Sequence, residues 1–327
     1  EYDADTRAVI DIRTNRRNRE GFYALAYGRL DQRRHLLNQE MLNLSYSKGK
    51  FDWFLSYNHG YFRMETETEQ SQRKAARDTL TLQTDRSEDI ERENYQTLSN
   101  SFNLAINERH SVGVRYDYML NKHHWETGDS PFDLAVNGND LPTTWTRNFS
   151  DNRNHRHYVN AYYRGNWRDR LTWQLEADYL LLNQKNNSMV DETTDAALVH
   201  TDQGRDRDNR LAAAKLVMGY DWGEAGSLSW GAEYSYVENS GTSSVDDGAT
   251  NVSYSAFENL EDKYAAFLSY RLQRKRFALT AGLRYENVWA RAKSDGLRLV
   301  DKHYSELYPT VSLFYTPADD AELGLNF

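Results

Sequence analysis

The chain of 327 residues contains no cysteine and only 4 prolines, and its mean hydropathy is low at −0.88. The absence of cysteine excludes disulfides and thiolate chemistry, but it leaves the compartment open. No apolar run approaches the 18 residues that a membrane-spanning helix requires. The sequence is therefore not that of a helical membrane protein, and it lacks the apolar core pattern of an ordinary soluble domain.

Two further features bear on binding partners and on processing. The formal net charge of −9 argues against nucleic acid as a partner. The arginine clusters at 16–19 and 33–34 are small, and solvated turns explain them better than a binding patch. No basic and apolar leader precedes the chain, which starts at Glu1, so we expect either that a signal peptide was removed or that the sequence is an excerpt.

The chain contains segments in which apolar and polar residues alternate, and LTWQLEADYLLL at 171–182 is a clear example. The apolar residues at odd positions are Leu171, Trp173, Leu175, Ala177, Tyr179 and Leu181. Between them lie the polar residues Gln174, Glu176 and Asp178. A period of two predicts a strand with one apolar and one polar face.

The same alternation recurs along the chain and predicts thirteen strands. They lie at 21–30, 39–47, 51–62, 97–107, 111–119, 157–167, 171–182, 211–222, 228–237, 263–272, 277–289, 307–316 and 323–327. In most of them one phase is apolar and aromatic, while the other carries Asn, Ser, Gly, Arg, Asp and Glu.

The connections between these strands alternate in length. Short, turn-rich links lie at 47–50, 107–110, 168–170, 223–227, 273–276 and 316–322. Long polar stretches lie at 63–96, 119–156, 183–210, 238–262 and 290–306, with a modest one near 31–38. A soluble sandwich has no reason to sort its loops in this way. The pattern predicts an all-β, antiparallel transmembrane β-barrel with short periplasmic turns and long extracellular loops.

In such a barrel the apolar phase meets lipid and the polar phase meets the lumen. Leu175 and Tyr179 are then lipid-facing, whereas Glu176 and Asp178 are lumenal. We expect the lumenal charges to be neutralised by Lys215 near Glu176 and Asp178, by Arg115 beside Asp117, and by Arg284 beside Glu286.

Aromatic residues also sort into two belts if the chain rises from the periplasm after Thr14. The lower belt contains Trp53, Trp173, Tyr220, Trp222, Trp230, Tyr270 and Phe277. The upper belt contains Tyr57, Tyr118, Tyr179, Tyr236 and Tyr285. Two belts are what the two interfaces of a membrane require, although aromatic residues also favour strands in general.

Several segments resemble a known family. The motif AVIDIRT at 8–14 resembles the closing strand of the plug domain of TonB-dependent receptors. The segments at 231–245, 262–290 and 307–327, with AGLRYE followed by YPTVSLFYTP, resemble the outer-membrane β-barrel family of TonB-dependent receptors typical of Bacteroidetes-like bacteria. The resemblance spans nearly the whole chain.

This resemblance implies an outer-membrane receptor that imports a scarce nutrient, such as a metal chelate, vitamin, oligosaccharide or peptide, with energy delivered through TonB. Implied partners are outer-membrane lipid, TonB, an extracellular ligand and a surface lipoprotein. The family has a plug and 22 barrel strands, so residues 1–18 correspond to the end of the plug and its link, and 19–327 to a partial barrel of about 13 strands. We therefore interpret the chain as an excerpt of a longer receptor. The ending LGLNF at Phe327 also resembles an assembly signal of complete outer-membrane proteins, although chance explains it as well.

The sequence offers no catalytic or cofactor-binding residue, since no nucleophile, zinc, phosphate or dinucleotide motif occurs, and we expect no enzyme. Metal ligation by His123, His124, His155 and His157, or calcium binding by the acidic stretches 191–208 and 244–248, is less favoured than solvated loops. Loop aromatics that stack on a ligand or pack against each other are Trp125, Phe132, Trp145 and Tyr254. They assign no substrate contact. A passive porin-like or adhesin-like barrel and an outer-membrane hydrolase stay open as alternatives.

Overall fold

The computed structural model describes residues 20–32, 34–76, 79–194, 197–248, 252–318 and 321–327. These residues form one sheet of 15 strands. The strands are β1 (Gly21–Gln32), β2 (Leu36–Lys48), β3 (Phe51–Ala76), β4 (Thr79–Asn107), β5 (His110–Thr127), β6 (Ser130–Val136), β7 (Asn139–Asp140), β8 (Thr144–Trp167), β9 (Leu171–Thr193), β10 (Leu198–Asp221), β11 (Ser227–Asp246), β12 (Val252–Arg274), β13 (Phe277–Ser294), β14 (Leu297–Ala318) and β15 (Ala321–Asn326). A 3-10 turn at Gly223–Ala225 lies between β10 and β11.

The order of the strands in the sheet follows their order in the chain. Thirteen strands form one antiparallel path, from β1 to β5 and then from β8 to β15, while β6 pairs with β4, β7 and β8 beside this path. Eleven of the thirteen predicted strands lie within one strand of the path, and the other two, 211–222 and 323–327, run one residue past the ends of β10 and β15. The predicted number and order are therefore confirmed. Within the described ranges, β1 and β15 are not paired with each other. In the same ranges, no helix is long and apolar enough to cross a membrane.

Five of the six predicted short turns lie wholly in the described residues and are confirmed. Between β8 and β9, Arg168 and Asp169 adopt φ values of 54° and 56°, which a tight hairpin turn requires. The sixth turn includes residues 319–320, which lie outside the described part of the chain. The plug-like segment at 1–18 also lies outside it.

The stretches predicted as long extracellular loops are mostly extended hairpins. Strands β3 and β4 are 26 and 29 residues long and stay paired up to Ala76 and Thr79. A membrane crossing needs only about 9–11 residues, so more than half of each strand projects beyond it. Water solvates both faces of such a hairpin, and its backbone pairing persists without apolar alternation.

The register places the predicted lipid-facing residues on a single face. Leu175 lies opposite Leu216 on β10, and Tyr179 lies opposite Val159 on β8. Directly paired residues project to the same side of a sheet, and Leu175 and Tyr179 are 45% and 46% exposed. By the same register, the strand residues of both predicted belts share this outward face. Gly165 lies opposite Trp173 in the lower belt, and a Cβ at this glycine would overlap the tryptophan ring.

Protease added to intact cells is expected to cut within 63–96, 119–156 or 183–210. Paired strands resist a protease because their backbone is hydrogen-bonded, so the cuts should concentrate at hairpin ends such as 137–143, which hold turn and unpaired residues. Peptide mapping after treatment with a broad-specificity protease checks this. Cleavage that appears only after the outer membrane is opened would reverse the assigned orientation.

Candidate functional site

The inner face of the sheet carries a row of mostly polar side chains, interrupted at Gly113 and Ala265. Cross-strand pairing connects Asp52, Asn103, Gly113, Tyr162, Glu176, Lys215, Glu233, Ala265, Glu286 and Glu306, each on the next strand of the path. Because direct partners project to one side, these residues line the face opposite Leu175. The inner wall is therefore suited to water or to a polar filling.

The most buried part of this wall is a charged cluster on β10 to β13. Arg284 Nε donates to Glu286 at 2.6 Å, and its guanidinium lies 3.6 Å from Glu233. Lys215 approaches the same Glu233 at 3.8 Å. Arg284 and Glu286 are only 7% and 5% exposed. Phe267 packs beneath, with its ring centroid 6.0 Å from the arginine and 5.8 Å from the lysine.

The predicted neutralisation of lumenal charges is confirmed as an ion pair at two sites, and the predicted proximity of Lys215 to Glu176 is confirmed by the register. Arg284 pairs with Glu286, and Arg115 pairs with Asp117 at 2.8 Å. Lys215 lies directly opposite Glu176 on the neighbouring strand.

Asp178, which was expected near Lys215, takes its hydrogen bonds from β8. Tyr158 donates to Asp178 at 2.6 Å, and the Asn160 side-chain amide donates at 2.8 Å. Both donors belong to the same inward phase as Asp178, which fixes this carboxylate against the inner wall.

The adjacent histidines of β5 point to opposite faces. His123 contacts Glu91 at 2.7 Å on one side, and His124 contacts Asp151 at 2.8 Å on the other. His124 also contacts Glu126, and this hydrogen bond lowers the pKa of that carboxyl. Neighbours along a strand diverge in this way, so His123 and His124 do not converge on one ion.

The second predicted histidine pair shares the outward face, but its members have separate contacts. His157 packs against Tyr118 with ring centroids 5.1 Å apart, and Arg153 donates to His155 at 2.7 Å. Burial, followed by the charge of Arg153, lowers the pKa of His155. Across the described ranges, no group of three His, Asp or Glu residues is placed to hold a metal ion.

The acidic stretch 191–208 forms the hairpin of β9 and β10, and one histidine lies between two of its carboxylates. His200 contacts Asp191 at 2.5 Å and Asp202 at 3.1 Å. The hydrogen bond with Asp191 and then that with Asp202 raise the pKa of His200. The second acidic stretch, 244–248, continues this sheet as the end of β11 and the turn after it.

This arrangement predicts a pH response at the hairpin end. A histidine whose pKa is raised in the folded state stabilises that state. The stabilisation is complete below the unfolded pKa of about 6.5 and is lost as the pH rises through the folded pKa. The protection factors of the amides near Asp191 and His200, which are corrected for the intrinsic rise of exchange with pH, should therefore fall as the pH rises above neutrality. NMR titration of the imidazoles checks this, and His155, whose pKa moves the opposite way, is the internal control. Equal midpoints for the two rings would contradict the prediction.

The four candidate aromatic residues do not form one site. Trp125, Phe132 and Trp145 lie in or beside the excursion between β5 and β8, whereas Tyr254 lies on β12 in another hairpin. Trp145 and Tyr254 are 47% and 65% exposed, and the other two are half-buried.

The sequence gives no signal for a row of cross-strand partners on the outward face. Its members are Tyr61, Asn94, Lys122, Arg153 and Lys185.

Comparison with known proteins agrees with this architecture. The model of the outer membrane protein beta-barrel family matches residues 168–327. No curated protein sequence matches the chain. The ferric preacinetobactin receptor BauA from Acinetobacter baumannii is similar in structure, with a TM-score of 0.51, 12% identity and coverage of 94% of this chain and 47% of that one. The siderophore receptor PiuA from Acinetobacter baumannii gives a TM-score of 0.46, 10% identity and coverage of 88% and 53%.

At such low identity, the similarity to BauA shows the fold alone. The chain spans about half the length of these two solved structures. The single antiparallel sheet, its outward apolar face and the family match together define an outer-membrane protein that crosses the membrane repeatedly with the strands of a β-barrel.

Proposed function

We propose that this chain forms part of a TonB-dependent outer-membrane receptor, of the type found in Bacteroidetes-like bacteria, that imports a scarce nutrient. The observation that carries the proposal is the inner wall, where a row of polar and charged residues runs across the strands of the path opposite the apolar outer face. A wall of paired charges suits a lumen that holds a polar plug and passes a hydrophilic solute. The fold shared with the ferric preacinetobactin receptor BauA is compatible with the same function.

The sheet itself supports membership of a larger barrel. Thirteen antiparallel strands cannot close head to tail, because the closing pair would be parallel, and β1 and β15 are not paired within the described residues. In the proposed receptor, about 22 strands close the barrel, residues 19–327 supply part of it, and residues 1–18 end the plug. The receptor catalyses no reaction and uses no cofactor.

The proposed partners follow from this role. Lipid surrounds the outward face, TonB acts through the plug side, and the extended hairpins meet an extracellular metal chelate, vitamin, oligosaccharide or peptide, with a surface lipoprotein as an assisting subunit. Nucleic acid is not a partner.

Uptake measurements in whole cells test the proposal. A strain that lacks the gene should lose uptake of one compound from a panel of metal chelates, vitamins, oligosaccharides and peptides, and the gene should restore it. Removal of TonB, or collapse of the proton gradient, should abolish the restored uptake. Uptake that persists without TonB, together with ion conductance in a planar bilayer, would instead establish a passive porin.

A further inference from the structure

A row of cations crosses the outward face just above the predicted membrane segments. Pairing connects Lys122 on β5, Arg153 on β8 and Lys185 on β9, and Tyr61 and Asn94 extend the row towards β3. Lys122 shares its phase with Tyr118, and Lys185 shares its phase with Tyr179, so these cations face the lipid side. We name Lys122, Arg153 and Lys185 the cation row.

The height of the cation row matches lipid headgroups. Lys122 and Lys185 each lie three residues beyond the predicted membrane segments 111–119 and 171–182, and Arg153 lies four residues before 157–167. In a strand tilted by about 45°, three or four residues correspond to about 7–9 Å along the membrane normal. This distance carries the cation row out of the hydrocarbon layer and into the headgroup layer.

The charges of this row are poorly neutralised by the protein. Lys122 and Arg153 are exposed, and within the described part of the chain neither forms an ion pair with a carboxylate, while Arg153 donates to His155. Lys185 has Asp206 at 3.5 Å on its far side. Like charges directly opposite each other on neighbouring strands repel. The row has two such contacts, Lys122 with Arg153 and Arg153 with Lys185, and a bound anion would relieve the repulsion in both.

The surface around the cation row is concave. Lys122, Arg153 and Lys185 line a cavity of about 450 Å³ together with Arg92 and the hydrogen-bonding side chains of Tyr61 and Asn94. Two carboxylates also line it, and each has a partner of its own: Asp151 contacts His124 at 2.8 Å, and Glu93 accepts from Asn121 at 2.8 Å. Further around the outward face, the charge reverses. The residues that line a second cavity there include four carboxylates and one lysine, namely Asp206, Asp208, Glu238, Glu258 and Lys293. Cations outnumber carboxylates in the first cavity and carboxylates outnumber cations in the second, so the first is the better suited to an anion.

We propose that the cation row binds the phosphate group of a phosphorylated lipid in the outer leaflet. The ammonium groups of Lys122 and Lys185 and the guanidinium of Arg153 supply charge-assisted hydrogen bonds to the phosphate oxygens. The acyl chains of the same lipid lie along the apolar outward face below, where Tyr118 and Tyr179 mark the interface. This binding site is independent of what the barrel transports.

Lipid titration of the intact protein in a neutral detergent, followed by native mass spectrometry, tests the proposal. The probes are lipid A with its phosphates, the same lipid after dephosphorylation, and inorganic phosphate. We expect the phosphorylated lipid to bind about tenfold or more tightly than the dephosphorylated one, and Lys122→Gln with Arg153→Gln to remove this preference. The control Lys293→Gln alters another lysine, which pairs with Glu258 at 3.2 Å, and should bind lipid as the unchanged protein does.

A stability measurement separates lost binding from lost folding. The double variant removes repulsion between neighbouring cations, so in lipid-free detergent its thermal midpoint should equal or exceed that of the unchanged protein. Undiminished lipid binding by the double variant would overturn the proposal, as would equally tight binding of the dephosphorylated lipid. Displacement of the lipid by equimolar inorganic phosphate would assign the cavity to a free anion instead and would also overturn it.

Discussion

Leu175→Arg is expected to destabilise the protein in a bilayer by about 2–4 kcal/mol, whereas Glu176→Gln should be nearly neutral. Leu175 lies in the membrane-spanning part of β9, on the outward face, where an arginine would have to enter hydrocarbon. Glu176 faces the inner wall, half-buried, with Arg164 3.8 Å away and Lys215 opposite. Its amide counterpart keeps the shape and the hydrogen-bonding capacity in contact with water.

A denaturant titration of folding into lipid vesicles measures both changes. Each variant is compared with the unchanged protein in the same lipid, so that bilayer thickness cancels. Equal effects of the two substitutions would show that the outward and inward phases are assigned to the wrong faces.

The second large effect is expected at the buried ion pair of the inner wall. Glu286→Leu should destabilise the protein by about 3–5 kcal/mol, because it leaves Arg284 buried with one of its carboxylate partners removed. Both residues are less than a tenth exposed, so water cannot easily replace the lost carboxylate. Glu233, 3.6 Å from the guanidinium of Arg284, still pairs with this arginine in the variant. We therefore expect a loss of stability toward the lower end of this range.

The double variant Arg284→Met with Glu286→Leu is the matched control. Removal of both charges abolishes the desolvation penalty together with the attraction, so most of the stability should return. The same vesicle titration measures this recovery. A double variant as unstable as Glu286→Leu alone would mean that packing against Phe267, rather than charge, sets the stability of this cluster.

The membrane-spanning strands could be predicted from sequence because lipid imposes a simple rule on them. One face must be apolar, so a period of two appears wherever a strand such as β9 crosses the membrane. The alternation is visible in most of the thirteen strands of the path, which explains why their number and order could be derived from the sequence.

The hairpin extensions could not be predicted in the same way. Above the membrane both faces of β3 and β4 are solvated, so no alternation marks them and composition alone resembles a loop. A local signal was nevertheless present in two turns. Asn137-Gly138 and Asp295-Gly296 adopt positive φ, with values of 50° and 81° in the first and 51° and 77° in the second, and such pairs are typical of two-residue hairpins.

The candidate sites follow the same division. Arg284 and Glu286 lie two residues apart on one strand, so their pairing could be predicted from sequence spacing. The cation row joins residues from three strands that are far apart in sequence, and only the register of β5, β8 and β9 brings them together. Such a cluster has no local signature.

The order of strand pairing also has a kinetic consequence. Along the path, almost every strand pairs with the strands before and after it in the chain, and only β6 and β7 intervene between two partners. Each new hairpin therefore closes a short loop, whose entropic cost is small and does not grow with the length of chain already folded. Such a sheet can be built by adding one hairpin after another to its existing edge. The time needed for insertion should then increase in proportion to the number of strands, because no search over distant strand pairings is required.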